Sequence, residues 1–297
     1  MRPLSVKVPD VRQHKVSTVA DQGGEGGAQK HPPLGHSPLV MVTAYDYPTA
    51  KIGDEAGADI LLVGDSLAMV VLGLEDTLSV TIEDMVYHTK AVARAQTKAL
   101  VVADMPWLSY HVSPEETVRN AAALIRAGAG AVKLEGGQKR LEMIQALTDA
   151  EIPVMGHIGL TPQSINMLGG FRVQCQSQEA GERLVATAQA LQKGGCFSFV
   201  LEGIPAKVAQ QVTESVEVPT IGIGAGPYCD GQVLVFHDVL GLQDNLFPRF
   251  VRQYASLKQE AVAGLRKFAE DVKSGAFPSE DESYRSCRGE KLDGSES

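Results

Sequence analysis

Residues 100–135 read LVVADMPWLSYHVSPEETVRNAAALIRAGAGAVKLE, and this stretch decides the fold. Leu-Val-Val-Ala at 100–103 is a short apolar run of strand type that closes on Asp104. Ser113-Pro114-Glu115-Glu116 then supplies a capping hydroxyl, a proline at the first helical position and a glutamate three residues after the cap. Val118, Ala121, Ala122 and Ile125 follow at helical spacing until Gly128, where a second apolar run, Ala131 to Leu134, closes on Glu135. One strand, one helix and a second strand make a βα unit that passes into the next.

The pattern repeats outward in both directions. A second helix is predicted over Thr81 to Ala95, with Ile82, Met85, Val86, Thr89 and Val92 along one face. Candidate strands fall at Leu39 to Ala44, Ile60 to Gly64, Leu100 to Ala103, Ala131 to Leu134, Pro153 to Gly156, Phe197 to Leu201, Pro219 to Ile223 and Gln232 to Phe236. Eight βα units without a recognisable second domain predict a single (β/α)8 TIM barrel of the α/β class over residues 37–273. Gly222-Ile-Gly224-Ala-Gly226 lacks dinucleotide-loop spacing and reads as a tight βα turn. Residues 1–36, with Gly-Gly-Glu-Gly-Gly at 23–27 and Pro32-Pro33, read as a flexible leader, and the acidic residues 274–297 read as a flexible tail.

Composition narrows the function. Hydrophobic residues make up 44% of the 297, enough for a full core. A formal charge of −9 excludes the basic footprint of a nucleic-acid binder. Cys175, Cys196, Cys229 and Cys287 are scattered without metal-site or disulfide spacing, which predicts a reducing, cytoplasmic setting. No run approaches the length of a membrane span, and the acids and glycines of the leader fit a transit peptide poorly.

The chemistry sits at the strand ends. Four of the eight apolar runs close on an acid: Asp65, Asp104, Glu135 and Glu202. Acids are about one residue in eight of this chain, so eight strand ends should show about one by chance. Each acid alone could be the N-cap of the following helix, but as a set they ring the barrel mouth where active sites lie. Lys133 shares the barrel-facing side with Glu135, as a functional cation or simply as an ion-pair partner. His157 adds a sixth polar group, whose plain alternative is a structural hydrogen bond. Oxygen ligands without a Cys or His cluster suit Mg2+, which keeps open positions that a small chelating substrate completes.

The motifs carrying these residues are Val-Thr-Ala-Tyr-Asp at 42–46, Leu-Val-Gly-Asp-Ser-Leu at 62–67, Ala-Asp-Met-Pro at 103–106, Val-Lys-Leu-Glu-Gly-Gly at 132–137, Gly-His-Ile-Gly-Leu-Thr-Pro-Gln at 156–163 and Ile-Gly-Ile-Gly-Ala-Gly at 221–226. From about Pro38 to Leu242 the chain resembles the ketopantoate (3-methyl-2-oxobutanoate) hydroxymethyltransferases of pantothenate biosynthesis. The resemblance implies a Mg2+-dependent transfer of a one-carbon unit from 5,10-methylenetetrahydrofolate to 3-methyl-2-oxobutanoate, giving 2-dehydropantoate through an enolate that the metal stabilises. It implies Asp65 and Asp104 as metal ligands, with Glu135 completing the site directly or through water. Asp65, Ser66, Asp104, Lys133 and His157 become the substrate contacts, Glu202 the proton acceptor, and the assembly a homo-oligomer, decameric in known relatives.

One departure stands out: Ala68 replaces the glycine usual after Gly-Asp-Ser-Leu, which predicts a local change in that loop. Two rival functions are weighed. One is a phosphoenolpyruvate mutase or isocitrate lyase type of Mg2+-dependent 2-oxo acid barrel; the other is a non-catalytic metabolite-binding barrel. The Lys-Leu-Glu-Gly-Gly and Gly-His-Ile-Gly-Leu-Thr-Pro-Gln motifs argue against the first, and the full set of ligands and base argues against the second.

Overall fold

A computed structural model describes residues 5–15, 37–243 and 248–284. Eight strands close into a parallel barrel in chain order: β1 (Leu39–Thr43), β2 (Ile60–Val63), β3 (Leu100–Asp104), β4 (Ala131–Glu135), β5 (Val154–Gly159), β6 (Ser198–Glu202), β7 (Thr220–Ile223) and β8 (Gly231–Leu234). All eight expected strands are present. Their ends differ from expectation where it matters most: β3, β4 and β6 each run one residue further, so Asp104, Glu135 and Glu202 belong to the strands. β5 continues past Gly156 to Gly159, which makes His157 a strand residue. The cause is pairing, because the ladder matches Asp104 with Lys133, Glu135 with His157 and Gly159 with Glu202. β8 stops at Leu234, and Phe236 opens a helical turn.

Alternation along each strand builds two concentric cores. Leu39, Met41, Ile60, Leu62, Leu100, Val102, Ala131, Met155, Val200, Ile221 and Val233 fill the barrel interior. Their neighbours Leu61, Val63, Val101, Ala103, Val132, Leu134, Phe199 and Leu201 pack outward against the helices. The helix Pro114–Ala127 shows how the sequence sets this up: Ser113 Oγ accepts from Glu116 N, Ala121 and Leu124 are buried, and Gly128 ends it at φ +113°. Helix Ile82–Ala93 begins at Thr81, whose side chain and that of Asp84 satisfy each other's backbone N–H groups. It ends two residues short of expectation.

The four strand-end acids cap none of these helices. Caps are supplied by Asp46, Thr81, Ser113 and Ser177, so the capping alternative is removed. Ala68 lies in the helical turn Leu67–Val70, fully buried, where no positive φ is required.

One element was absent from the sequence expectation. Within the predicted leader, Val8–Gln13 forms a helix whose Val11 is fully buried against the barrel interior. Val6 N donates to Lys98 O at 2.6 Å, and Lys15 Nζ reaches Asp230 Oδ2 at 3.0 Å and Thr213 O at 2.5 Å. Lys98 and Asp230 precede β3 and β8, so this segment closes the end of the barrel opposite the acids. A six-residue helix is too short to show a period, and its only aliphatic side chains besides Pro9 are Val8 and Val11. The rest of the leader, and residues 285–297 of the tail, lie outside the described residues. The C-terminal helix Leu257–Ser274 stands apart, with no buried side chain and with Val262, Leu265, Phe268 and Val272 exposed.

Candidate active site

Climbing the barrel interior, the inward positions change from apolar to charged. β3 presents Leu100, Val102 and Asp104; β4 presents Ala131, Lys133 and Glu135; β5 presents Met155 and His157; β6 presents Ser198, Val200 and Glu202. The i, i+2 repeat of a strand makes this gradient possible, and the register sets neighbours side by side. Lys133 Nζ meets Asp104 Oδ1 at 2.9 Å, with both side chains buried. Asp65, just beyond β2, joins them: its backbone N–H donates to Asp104 Oδ2 at 3.0 Å.

His157 bridges two carboxylates. Its Nδ1 lies 3.2 Å from Glu135 Oε1 and 3.2 Å from Lys133 Nζ, and its Nε2 lies 3.1 Å from Glu202 Oε2. In the imidazolium, Nδ1–H faces Glu135; in the neutral ring that accepts from Lys133, the proton sits on Nε2. Either way the proton on Nε2 lies on the Glu202 side of the ring, within ion-pair distance but without hydrogen-bond alignment. Burial and Lys133 push the His157 pKa down, but Glu135 and Glu202 outweigh them and lift it to about 9, so at neutral pH the ring is a cation.

Gln163 ties the cluster together, and the sequence expectation gave it no role. Its amide nitrogen donates to Asp65 Oδ2 at 2.8 Å and to Met105 O at 3.0 Å, its amide oxygen accepts from Tyr110 Oη, and its backbone N–H donates to Glu135 Oε2 at 2.9 Å. Three of the four hydrogen bonds open to the buried amide are made, both donations and one acceptance, which fixes its orientation. Tyr110 Oη also accepts from Glu135 N at 3.2 Å. Ser66 Oγ pairs with Tyr45 Oη at 2.9 Å. The only sequence signal for Gln163 was its place at the end of the Gly-His-Ile-Gly-Leu-Thr-Pro-Gln motif.

The electrostatics are strained in a specific direction. Burial, then Asp104 and Glu135 beside it, hold the Asp65 carboxyl well above the usual range. Burial also raises Asp104, against the pull of Lys133. Glu135 is buried too, yet His157 and Lys133 bring it below its ordinary value. Lys133 is lifted by Asp104, Glu135 and Asp65 in spite of burial. Carboxylates packed this closely repel unless a cation is shared among them.

The donor set fits a hard divalent cation. Among the described residues Asp65 Oδ1 accepts no hydrogen bond, and Asp104 Oδ1 is buried without an aligned one. Among the described residues no three Asp, Glu, His or Cys side chains already stand at ligand spacing. Mg2+ asks for less, since one or two carboxylates with water and substrate complete its shell. Above the cluster opens a cavity of about 500 Å³, with Asp65, Ser66, Asp104, Lys133, Glu135, His157 and Glu202 at its base and mostly apolar walls. All seven site residues expected from sequence therefore line one cavity. Glu202 is the least buried of the four acids, its side chain 15% exposed.

A model of the ketopantoate hydroxymethyltransferase family matches residues 32–280. The 3-methyl-2-oxobutanoate hydroxymethyltransferase of Moorella thermoacetica is 55% identical over 248 residues, covering 83% of this chain and 92% of its own. That of Pyrobaculum arsenaticum is 55% identical over 251 residues, covering 84% and 94%. Among solved structures, 2,3-dimethylmalate lyase, a member of the PEP mutase/isocitrate lyase superfamily, aligns with a TM-score of 0.54 at 20% identity over 83% of each chain. Phosphonopyruvate hydrolase complexed with oxalate and Mg2+ aligns with a TM-score of 0.51 at 14% identity, over 82% of this chain and 88% of its own. At these identities the structural likeness bears on the fold alone.

Proposed function

Since the chain belongs to the ketopantoate hydroxymethyltransferase family, we propose that it transfers a one-carbon unit from 5,10-methylenetetrahydrofolate to 3-methyl-2-oxobutanoate, yielding 2-dehydropantoate, and that Glu202 is its base. The observation that carries the assignment is the separation of Glu202 from the other three acids. Asp65, Asp104 and Glu135 are bound into one buried network through Gln163 and Lys133, whereas Glu202 faces the cavity with His157 behind it.

Asp65 and Asp104 would hold a Mg2+ ion. Glu135, with both oxygens engaged by Gln163 N and His157, would reach it through water. When bound, such an ion supplies Lewis acidity at the keto oxygen and so acidifies C3. Glu202 takes the C3 proton. Lys133 places a fixed positive charge beside the oxygens of the oxo acid, where negative charge grows as the proton leaves. His157 orients the Glu202 carboxylate, and Ser66, held by Tyr45, adds a hydroxyl contact to the substrate. The apolar walls exclude water from the carbanionic centre until C3 bonds to the folate-borne methylene carbon. Both C–N bonds of that carbon then break, the folate nitrogens take the proton removed from C3 and one from water, and that water supplies the hydroxyl of 2-dehydropantoate.

The test is the half-reaction. In D2O, with Mg2+ and without folate, the parent protein should exchange the C3 proton of 3-methyl-2-oxobutanoate. Glu202→Gln should lose that exchange while substrate binding persists. Exchange at the parent rate in Glu202→Gln eliminates Glu202 as the base.

We also infer a homo-oligomer in which a second copy covers the exposed face of Leu257–Ser274, since Val262, Leu265 and Phe268 are too large to leave in water on one helix. Light scattering should give a multiple of the chain mass, ten by family resemblance, that Phe268→Glu reduces. A cytoplasmic setting suits the free thiols of Cys175, Cys196 and Cys229, and no helix among the described residues is long and apolar enough to cross a membrane.

A further inference from the structure

The cavity is larger than a five-carbon oxo acid needs, and its chemistry is uneven. The charged base is crowded into the β2 to β6 sector. On the opposite arc, past β7, the walls are apolar apart from Thr43, Gln243 and one carboxylate, Asp238. It sits on the helical turn Phe236–Val239 that follows β8. Asp46, Asp54, Asp59 and Asp84 all spend an oxygen on a backbone N–H. The Asp238 side chain is half-buried and has no hydrogen bond or ion pair among the described residues. A desolvated carboxylate left in this state costs free energy that a ligand with N–H donors would return. Burial accordingly pushes its pKa up.

Beside it lies an aromatic platform. Gly224, on the turn after β7, has φ +60°, and a Cβ placed there would come within 2.7 Å of the Phe250 ring. Phe250 therefore lies directly on bare backbone at the cavity wall, 40% exposed. β7 runs between β6, which carries Glu202, and β8, which leads to Asp238. Two strand spacings, ~10 Å, separate β6 from β8, and Phe250 packs on the turn that follows the strand between them.

We propose that Phe250 and Asp238 seat the pterin of the folate co-substrate, the ring stacking on the heterocycle and the carboxylate accepting from the N–H groups of its 2-amino-4-oxopyrimidine edge. That edge presents N3–H and the 2-amino group side by side, a match for the two oxygens of a carboxylate. A planar heterocycle gains from an offset aromatic neighbour. With the pyrimidine held at Asp238, the other ring, which bears the one-carbon unit, extends along the wall toward Glu202 and the C3 it deprotonates. The assignment rests on the folate-dependent reading above, and it names the part of the site that reading leaves open.

The experiment uses the full chain with Mg2+ and three readouts. Tetrahydrofolate affinity is measured by calorimetry; the same is done for the analogue lacking the 2-amino group; and folate-free C3 exchange is followed in D2O. The parent should bind tetrahydrofolate at least tenfold more tightly than the 2-desamino analogue. Asp238→Asn should lose most of that discrimination, and Phe250→Leu should weaken both ligands about equally. Both variants should keep folate-free exchange within about twofold of the parent. The proposal is overturned if Asp238→Asn binds tetrahydrofolate as the parent does, if it still rejects the analogue, or if it loses folate-free exchange, which would make Asp238 part of the oxo-acid chemistry. A parent that binds tetrahydrofolate but never exchanges C3 would sink the enolate mechanism and leave the pterin seat standing.

Discussion

Gln163→Leu is the most direct test of how the acidic cluster is held. Leucine is one atom shorter but similar in volume, so the change in packing is modest. What is lost is hydrogen bonding: Asp65 Oδ2, Met105 O and Tyr110 Oη each lose a buried partner. A buried polar group left unpaired costs roughly 1 to 3 kcal/mol. Tyr110 Oη keeps the N–H of Glu135, and Asp65 relaxes in part, so the three losses do not add fully. About 3 to 5 kcal/mol remains, near the top of what single substitutions do. For a chain of this size that lowers Tm by roughly 6 to 12 °C. The assay is thermal unfolding in EDTA at fixed protein concentration, which reads the network without a cation's contribution. Gln163→Glu sharpens the test, because it keeps the shape and adds a fourth carboxylate beside Asp65 and Glu135. It should be worse than leucine at neutral pH and recover as pH falls. A Tm within 2 °C of the parent for Gln163→Leu would refute the view of Gln163 as the tie between Asp65 and Glu135.

Lys133→Met strands Asp104 in the barrel interior and should cost about 3 to 5 kcal/mol, whereas Lys133→Met with Asp104→Asn should recover part of it; equal losses in single and double variants, measured in denaturant, would argue against a coupled pair. His111 is half-buried, its Nδ1 lacks a partner, and burial with Arg140 nearby lowers its pKa to about 4. A histidine depressed in this way is neutral when folded and protonates more readily when unfolded, so the stability it leaves intact above pH ~6.5 is lost as pH falls toward 4. His111→Phe should flatten that part of the Tm profile against pH, and an unchanged acid limb would count against the assignment. Val11→Asp should release the segment that closes the lower end of the barrel, exposing the bonds after Arg12 and Lys15 to trypsin while the barrel survives; unchanged cleavage rates, read by mass spectrometry, would mean that Val11 does not anchor it.

The fold was legible because βα units leave two independent marks, an apolar run and a capped amphipathic helix, and residues 100–135 carry both. The charged part of the site was legible for a simpler reason: acids stand out at the end of apolar runs. Gln163 escaped because an uncharged amide in the short turn Pro162–Ser164 bears no mark of burial. Its role depends on that turn folding back over Asp65, which lies 98 residues away in sequence. The reach of β5 to Gly159 was hidden for a related reason. Its end is set by pairing with β6 and by a glycine at φ +99°, where a Cβ would strike Glu202 O at 2.4 Å, and neither constraint is visible within β5 itself.

Four acids of the same chemistry at four strand ends end up with different tasks, and the difference lies in what neutralises each. Asp104 has Lys133 beside it in register. Glu135 has His157 beside it in register and the N–H of Gln163. Asp65 has the charge of Lys133 and the Gln163 amide set against burial and two like charges, which hold its carboxyl above the usual range. Glu202 stands in register between Gly159, which has no side chain, and Ile223, whose side chain is apolar, and its ion-pair partner among the described residues is His157, reached from one side. A base must be held in place yet left with a free oxygen toward the substrate. A glycine on one side of Glu202 and an apolar side chain on the other supply no second polar partner in register, and this is a property of register that composition and spacing along the chain do not carry.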